Sequence, residues 1–512
     1  MPPAAWAHSS SVPTPLRKVR RSATCVLAAL LLALPLAAPK VRAATFTWDG
    51  NAPNGTGNPK WTTANNWNPD GAPPLSGADI IFAGTLKLTP AMDNNYSILS
   101  LIFSGASAFN LTSNVAEVLT IGTGGITNNN TNATGQTITS ALILGGAQTW
   151  NAASGPLVIN SATVNNGGFL LTISGASNTS IASVISGAGG LTKSGAGTLV
   201  LSNSSNSYTG ITTISAGTVS IGTGTNLGTS PGSPVANQVT INGGTLATTG
   251  TFTFATNRGI TLGASGGTID VASATTLTAP QIITGTGTLL KAGPGTLVLS
   301  GANTYTGATT VSAGVLLVNN TTGSGTGTGA VTVNGSGTTL GGTGSISGTV
   351  QISNTAAGAI LNPGANSTSA GTLTTGALTL SSVNANTFHI DAFGTLTTDW
   401  DKLTSTAAIV LGGTASTLQV NIASGLTFTA GQTYVLLDGT SLTGTFNGIN
   451  DNDFVTFSGY QFTADYTGTE FDLIAVPEPS TWFAAALALG AIGFSQRKRL
   501  RACASSAVEK HS

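Results

Sequence analysis

Through most of the chain, apolar residues alternate with Thr, Ser and Asn over short runs, and Gly interrupts nearly every run. Thr198-Leu199-Val200-Leu201, Val239-Thr240-Ile241 and Val331-Thr332-Val333 are typical. A period of two places successive side chains on opposite faces, so each run predicts a strand with one apolar face. Val, Ile and Thr suit a pleated backbone, while Gly and Asn suit the turns between runs. Two apolar stretches lack the alternation: Ala23 to Ala38 near the start, and Trp482 to Phe494 near the end.

One pattern of strands and turns occurs twice. Gly189-Gly190-Leu191-Thr192-Lys193-Ser194-Gly195-Ala196-Gly197-Thr198-Leu199-Val200-Leu201-Ser202 returns as Gly287-Thr288-Leu289-Leu290-Lys291-Ala292-Gly293-Pro294-Gly295-Thr296-Leu297-Val298-Leu299-Ser300. Asn206-Ser207-Tyr208-Thr209-Gly210 then matches Asn303-Thr304-Tyr305-Thr306-Gly307, and Ile214-Ser215-Ala216-Gly217 matches Val311-Ser312-Ala313-Gly314. Strands this short cannot bury a face alone, but stacked turns bury a continuous apolar strip, which predicts a β-solenoid. Lys193 and Lys291 hold equivalent places and so read as architectural.

These residues resemble the autotransporter-associated β-strand repeat of passenger regions. The resemblance implies an all-β chain, a right-handed parallel β-helix with terminal caps, with full repeats near 187–222 and 285–320 and degenerate turns elsewhere. No run of amphipathic strands sufficient for a membrane barrel follows, so export by another route is expected.

Composition changes the picture at the ends. The net charge is zero, yet Ala44 to Ala475 holds fifteen of the 17 acidic residues and only six of the 17 basic ones. That acidic body opposes nucleic-acid binding. Arg17-Lys18-Val19-Arg20-Arg21, the apolar run to Ala38 and Val41-Arg42-Ala43 have the parts of a secretory signal peptide, predicting a signal helix in 1–43 and cleavage between Ala43 and Ala44. Val476-Pro477-Glu478-Pro479 opens the other end, followed by a short apolar helix at about 481–495 and a basic stop at Arg497, Lys498, Arg499 and Arg501. This order resembles the PEP-CTERM sorting signal. The resemblance implies that an exosortase-type enzyme of a Gram-negative bacterium reads Val476 to Pro479, with transient anchoring in the inner membrane through the helix. Both cysteines, Cys25 and Cys503, lie outside the body, so it has no thiolate site and no disulfide.

Five segments are expected: the signal peptide, 1–43; a tryptophan-rich capping module, 44–115; the repeat-bearing β-helix, 116–350; its continuation with an aromatic cap, 351–475; and the sorting signal, 476–501. Trp48, Trp61 and Trp67 serve either as a cap or as a glycan-stacking patch, with the cap favoured.

Candidate chemistry is sparse. Between Glu117 and Asp391 the only acid is Asp270, and the body holds one arginine, Arg258, and one histidine, His389. Paired acids for glycoside hydrolysis are therefore missing from the repeat section. Asp399 with Asp401, and Asp451 with Asp453, are weak candidates for calcium, since calcium loops use alternate Asp and Asn. No cofactor motif is present, and no other metal spacing. The expectation is an exported, non-enzymatic cell-surface or extracellular-matrix protein, adhesive or associated with exopolysaccharide or other cell-surface glycans. The alternatives are a polysaccharide-active β-helix enzyme and an ice- or surface-binding solenoid.

Overall fold

A computed structural model describes residues 43–476, less 52–58, 115, 353–357, 366–368, 382–385 and 413–415, together with Ile492 and residues 496–499. It is a parallel β-solenoid of about 13 turns. The expected signal helix lies outside the described residues.

Each turn visits three faces in order. Ile260 stands on the first face, Ile269 on the second and Leu277 on the third, and Ile283 then returns to the first, directly beside Ile260. Sheets of 15, 16, 8 and 6 strands result among the described residues. The 16-stranded sheet is the second face along nearly the whole body, and the six-stranded sheet continues the first face after a bridge from Ser345 to Thr374.

Alternation within each strand fills the interior. Thr212–Ile214 buries Thr212 and Ile214 and leaves Thr213 partly exposed. Parallel pairing in register then stacks like upon like. Leu199, Val219, Leu246 and Ile269 form one interior column, and Leu277, Leu297, Leu316, Leu340 and Leu361 form another. All of these are fully buried. Strands stack about 4.8 Å apart, so aliphatic side chains on neighbouring turns touch along the column.

The two full repeats occupy different faces. Leu191–Lys193 and Thr212–Ile214 lie on the first face, and Thr198–Leu201 and Thr218–Ile221 on the second. In the later copy, Leu289–Ala292 and Thr309–Val311 lie on the second face, and Thr296–Leu299 and Val315–Val318 on the third. The second copy is therefore advanced by one face. The repeating unit is a strand, a corner and a strand, and the chain places it on two different pairs of adjoining faces.

Both ends are closed by aromatic residues and a change of strand direction. Trp48, Trp61 and Trp67 are fully buried, with Trp67 edge-on to Trp48 at 5.0 Å and to Trp61 at 5.5 Å. Indoles so enclosed have no free face for a glycan. Thr45–Trp48 pairs antiparallel with Trp67–Asn68 there. At the far end Thr433–Asp438, Glu470–Ala475, Tyr460–Tyr466 and Phe454–Phe457 form an antiparallel set over Trp400, Tyr434, Phe446 and Phe471. Such ends blunt the edge-to-edge pairing that an open solenoid invites.

Candidate functional site

The solenoid starts and stops close to the two junctions expected from the sequence. The unit that holds the solenoid begins at Ala43. The Ala44 carbonyl accepts from the Asp79 amide at 3.0 Å, and the first strand starts at Thr45. At the other end the Val476 amide donates to the Gln461 carbonyl at 3.1 Å, immediately after the last strand. Pro477, Glu478, Pro479 and Arg501 lie outside the described residues, as does the expected membrane helix apart from Ile492. Arg497, Lys498 and Arg499 are helical and exposed. Among the described residues, no helix is long and apolar enough to cross a membrane.

The four calcium candidates are engaged in their own surroundings. Asp399 Oδ2 accepts from the Leu396 amide at 2.9 Å, closing a turn. Asp453 Oδ2 accepts from the backbone and side-chain nitrogens of Asn450, and Asp451 Oδ1 accepts from the Tyr466 amide. Asp401 is fully buried, taking the Gly371 amide at 2.8 Å and the Asp391 amide at 3.2 Å. Burial pushes its carboxyl up to about 6, and those two amide bonds pull the other way. Among the described residues no group of three or more His, Cys, Asp or Glu side chains is placed to hold a metal ion.

His389 and Asp391 share one face of a strand, with His389 Nε2 3.0 Å from Asp391 Oδ1. Asn421, directly opposite Asp391 on the next turn, reaches the same two atoms at 3.0 and 3.2 Å. This is a hydrogen-bonded polar ladder across a strand pair.

The repeat residues hold corners. Lys193 sits in an aliphatic column between Ile173 and Ile214, and Lys291 sits between Ile269 and Val311. The Lys193 ammonium donates to the carbonyls of Ser194 and Gly195 at 2.9 and 2.6 Å. Lys291 donates to those of Ala292, Gly293 and Ala313 at 2.8, 2.8 and 3.0 Å. Burial pushes both ammonium groups down to about 8, and for Lys291 the carboxylate of Asp270 opposes the shift. Tyr208 and Tyr305 are buried, each sharing a hydroxyl hydrogen bond with the Thr four residues later, Thr212 and Thr309. Asn206 and Asn303 each accept from the backbone of the previous turn, at Ile185 and Ile283, and donate to the next turn, at Asn226 and Gly325. A repeat so written specifies turn-to-turn stacking.

Three buried polar residues carry no local signal in the sequence. Arg258 donates to the carbonyls of Leu227 and Gly228 at 2.8 and 2.7 Å. Asp472 lies opposite Asp465 on the last sheet, 4% exposed, and its Oδ1 has no hydrogen-bond partner. Burial first, and then Glu470 and Asp465, raise its carboxyl to about 6. Gln281 is 2% exposed with both carboxamide atoms unpaired.

Comparison with known families agrees with this geometry. Residues 191–221 and 289–318 match the passenger-associated-transport-repeat family, and residues 475–499 match the PEP-CTERM protein-sorting motif. No curated protein matches the chain significantly. The sorting motif implies recognition by an exosortase-type processing enzyme. The chain is a β-solenoid that carries passenger-associated transport repeats and a PEP-CTERM sorting motif.

Proposed function

We propose that this chain is an exported, non-enzymatic protein of the cell surface or extracellular matrix, with an adhesive or exopolysaccharide-associated role. The observation that carries the reading is the abutment of the two modules. The sorting motif begins at 475, and among the described residues the last backbone bond of the solenoid falls at Val476. Processing anywhere beyond Val476 would leave every strand intact. About 13 turns stacked at ~4.8 Å give a rod of roughly 60 Å, a stiff spacer suited to holding contacts away from a membrane. Four of the buried ionisable side chains are committed to the backbone. Lys193, Lys291 and Arg258 donate to backbone carbonyls, and Asp401 accepts from backbone amides.

Fractionation of the native cells, with mass determination of the mature C-terminus, tests the reading. Surface or matrix protein ending at or shortly after Val476 is expected. An intact chain ending at Ser512 in the inner membrane would overturn processing. Depolymerisation of an exopolysaccharide by the purified protein would overturn the non-enzymatic role.

A further inference from the structure

We propose that the first face, from the turn of Thr149 to the turn of Thr284, is a self-association surface that packs on the same face of a second copy of this chain, the two solenoids antiparallel. Such a contact deepens the adhesive reading and rests on it. Its basis is the register. Thr149 stands beside Thr172, and Thr172 beside Thr192. Thr213, Thr240, Thr261 and Thr284 continue the file, one threonine on each of seven successive turns. Thr149 is exposed and the other six are partly exposed. Successive members are 20 to 27 residues apart along the chain, so only the stacked turns bring them into line. The rungs are one strand spacing apart, about 4.8 Å, and the file runs about 29 Å.

Two further files flank the threonines, because alternate residues of a strand share a face. Two places before them stand Leu170, Gly190 and Ile211 on consecutive turns, and Ile282 further along. Two places after them stand Asn151, Ser174, Ser194 and Ser215. Leu170, Ile211 and Ile282 are 44%, 39% and 49% exposed, an apolar edge beside a hydroxyl file. No outward position of these turns bears a charge. Within 147–286 the charged residues are Lys193 and Arg258, both buried, and Asp270, which lies on the second face.

The spacing names the partner. A rigid file is met rung for rung only by a surface of the same period, and a second copy has that period necessarily. Hydroxyls both donate and accept, so one threonine file complements another. Thr261 and Thr284 already make such a bond within the file, at 2.9 Å. A strip without charge neither repels its own copy nor offers an ionic partner a counter-charge. The flanking files decide the orientation. A parallel copy, face to face, would lay the apolar file on the Ser and Asn file. An antiparallel copy lays apolar on apolar and threonine on threonine, about a two-fold axis. With that axis at the Thr240 turn, Thr213 faces Thr261 and Thr192 faces Thr284. Ile282 then covers Gly190, which has no side chain to obstruct it, and Ile211 meets the hollow walled by Ala236, Gly259 and Pro280. The shared strip, about 30 by 20 Å, covers roughly 600 Å² per copy, the lower bound of a specific interface, so a weak dimer is expected.

Sedimentation equilibrium of the purified full-length protein tests the surface, with Cys25→Ser and Cys503→Ser removing the two native thiols. A monomer–dimer equilibrium with Kd of about 1–100 μM is expected. Thr213→Lys with Thr240→Lys should weaken it about tenfold or more. Both positions face outward, so thermal melting should not change. The orientation is read by cross-linking with a short bismaleimide. Thr240→Cys lies on the axis and should yield a covalent dimer. Thr172→Cys lies about 29 Å from its own counterpart and should not. A wild type that stays monomeric to about 1 mM overturns the surface, as does an undiminished dimer in the double lysine variant. Equal cross-linking at Thr172→Cys and Thr240→Cys overturns the antiparallel packing. A monomer that still reaches the cell surface removes this contact and leaves the surface reading. A dimer found only in the inner membrane, intact to Ser512, leaves the contact and removes that reading.

Discussion

Replacing Lys193 and Lys291 together by methionine isolates the two charges buried in the repeat corners. Both side chains lie in aliphatic columns at 2% and 0% exposure, and burial lowers both ammonium groups from 10.5 to about 8. In the unfolded chain the amines hold their protons up to the ordinary value, so between about pH 8 and 10.5 unfolding takes up protons. Stability therefore rises with pH through that window, by about 1.4 kcal/mol per pH unit for each lysine and ~3 kcal/mol in all for each. The carbonyl oxygens around each ammonium oppose this, because hydrogen bonds to the charged form favour it. Above about pH 10 the buried tyrosines reverse the trend: burial raises Tyr208 to about 12, and Tyr305 also shifts upward. The assay is the urea or thermal midpoint at pH 7, 8, 9 and 10 for the wild type and the double variant. The wild-type midpoint should climb between pH 8 and 10, and the climb should be lost in the double variant. Methionine approximates the volume but leaves five corner bonds unmade, so a lower midpoint at pH 7 is expected as well. Equal pH slopes in the two proteins would refute the reasoning, because the carbonyl oxygens would then fully offset desolvation.

Further outcomes follow from single positions. Gly314 has φ +66°, and a methyl there would press on the Gly293 and Gly295 carbonyls, so Gly314→Ala should cost more than ~1–2 kcal/mol in the unfolding midpoint. Tyr305→Phe removes a buried 2.6 Å bond to Thr309 and leaves that hydroxyl alone, a loss of about 1–2 kcal/mol by the same measurement. Asp472 keeps its proton to about 6 when folded but only to about 4 when unfolded, so its burial lowers stability as pH rises through that range. Asp472→Asn should therefore raise the midpoint at pH 7 by up to ~3 kcal/mol and leave it nearly unchanged at pH 3.5; equal effects at both pH values would contradict an ionised buried carboxylate.

Local physics made much of this protein legible before any tertiary structure. Short apolar and β-branched runs mark Thr198–Leu201 and Val331–Val333 as strands, and positive φ at Gly195, Gly217, Gly293 and Gly314 falls at the corners where the repeat places glycine. The sorting motif is linear, so an enzyme can read it without a fold. Which face each strand joins depends instead on the residues accumulated per turn. Leu191 to its partner Thr212 takes 21 residues, and Thr212 to its partner Val239 takes 27. Such differences sum over several turns, so no local pattern reveals that the second repeat is advanced by one face. The same holds for Gln281 and Asp472. An isolated polar residue in a strand carries no mark of burial, and only the stacking of distant turns leaves its atoms without partners.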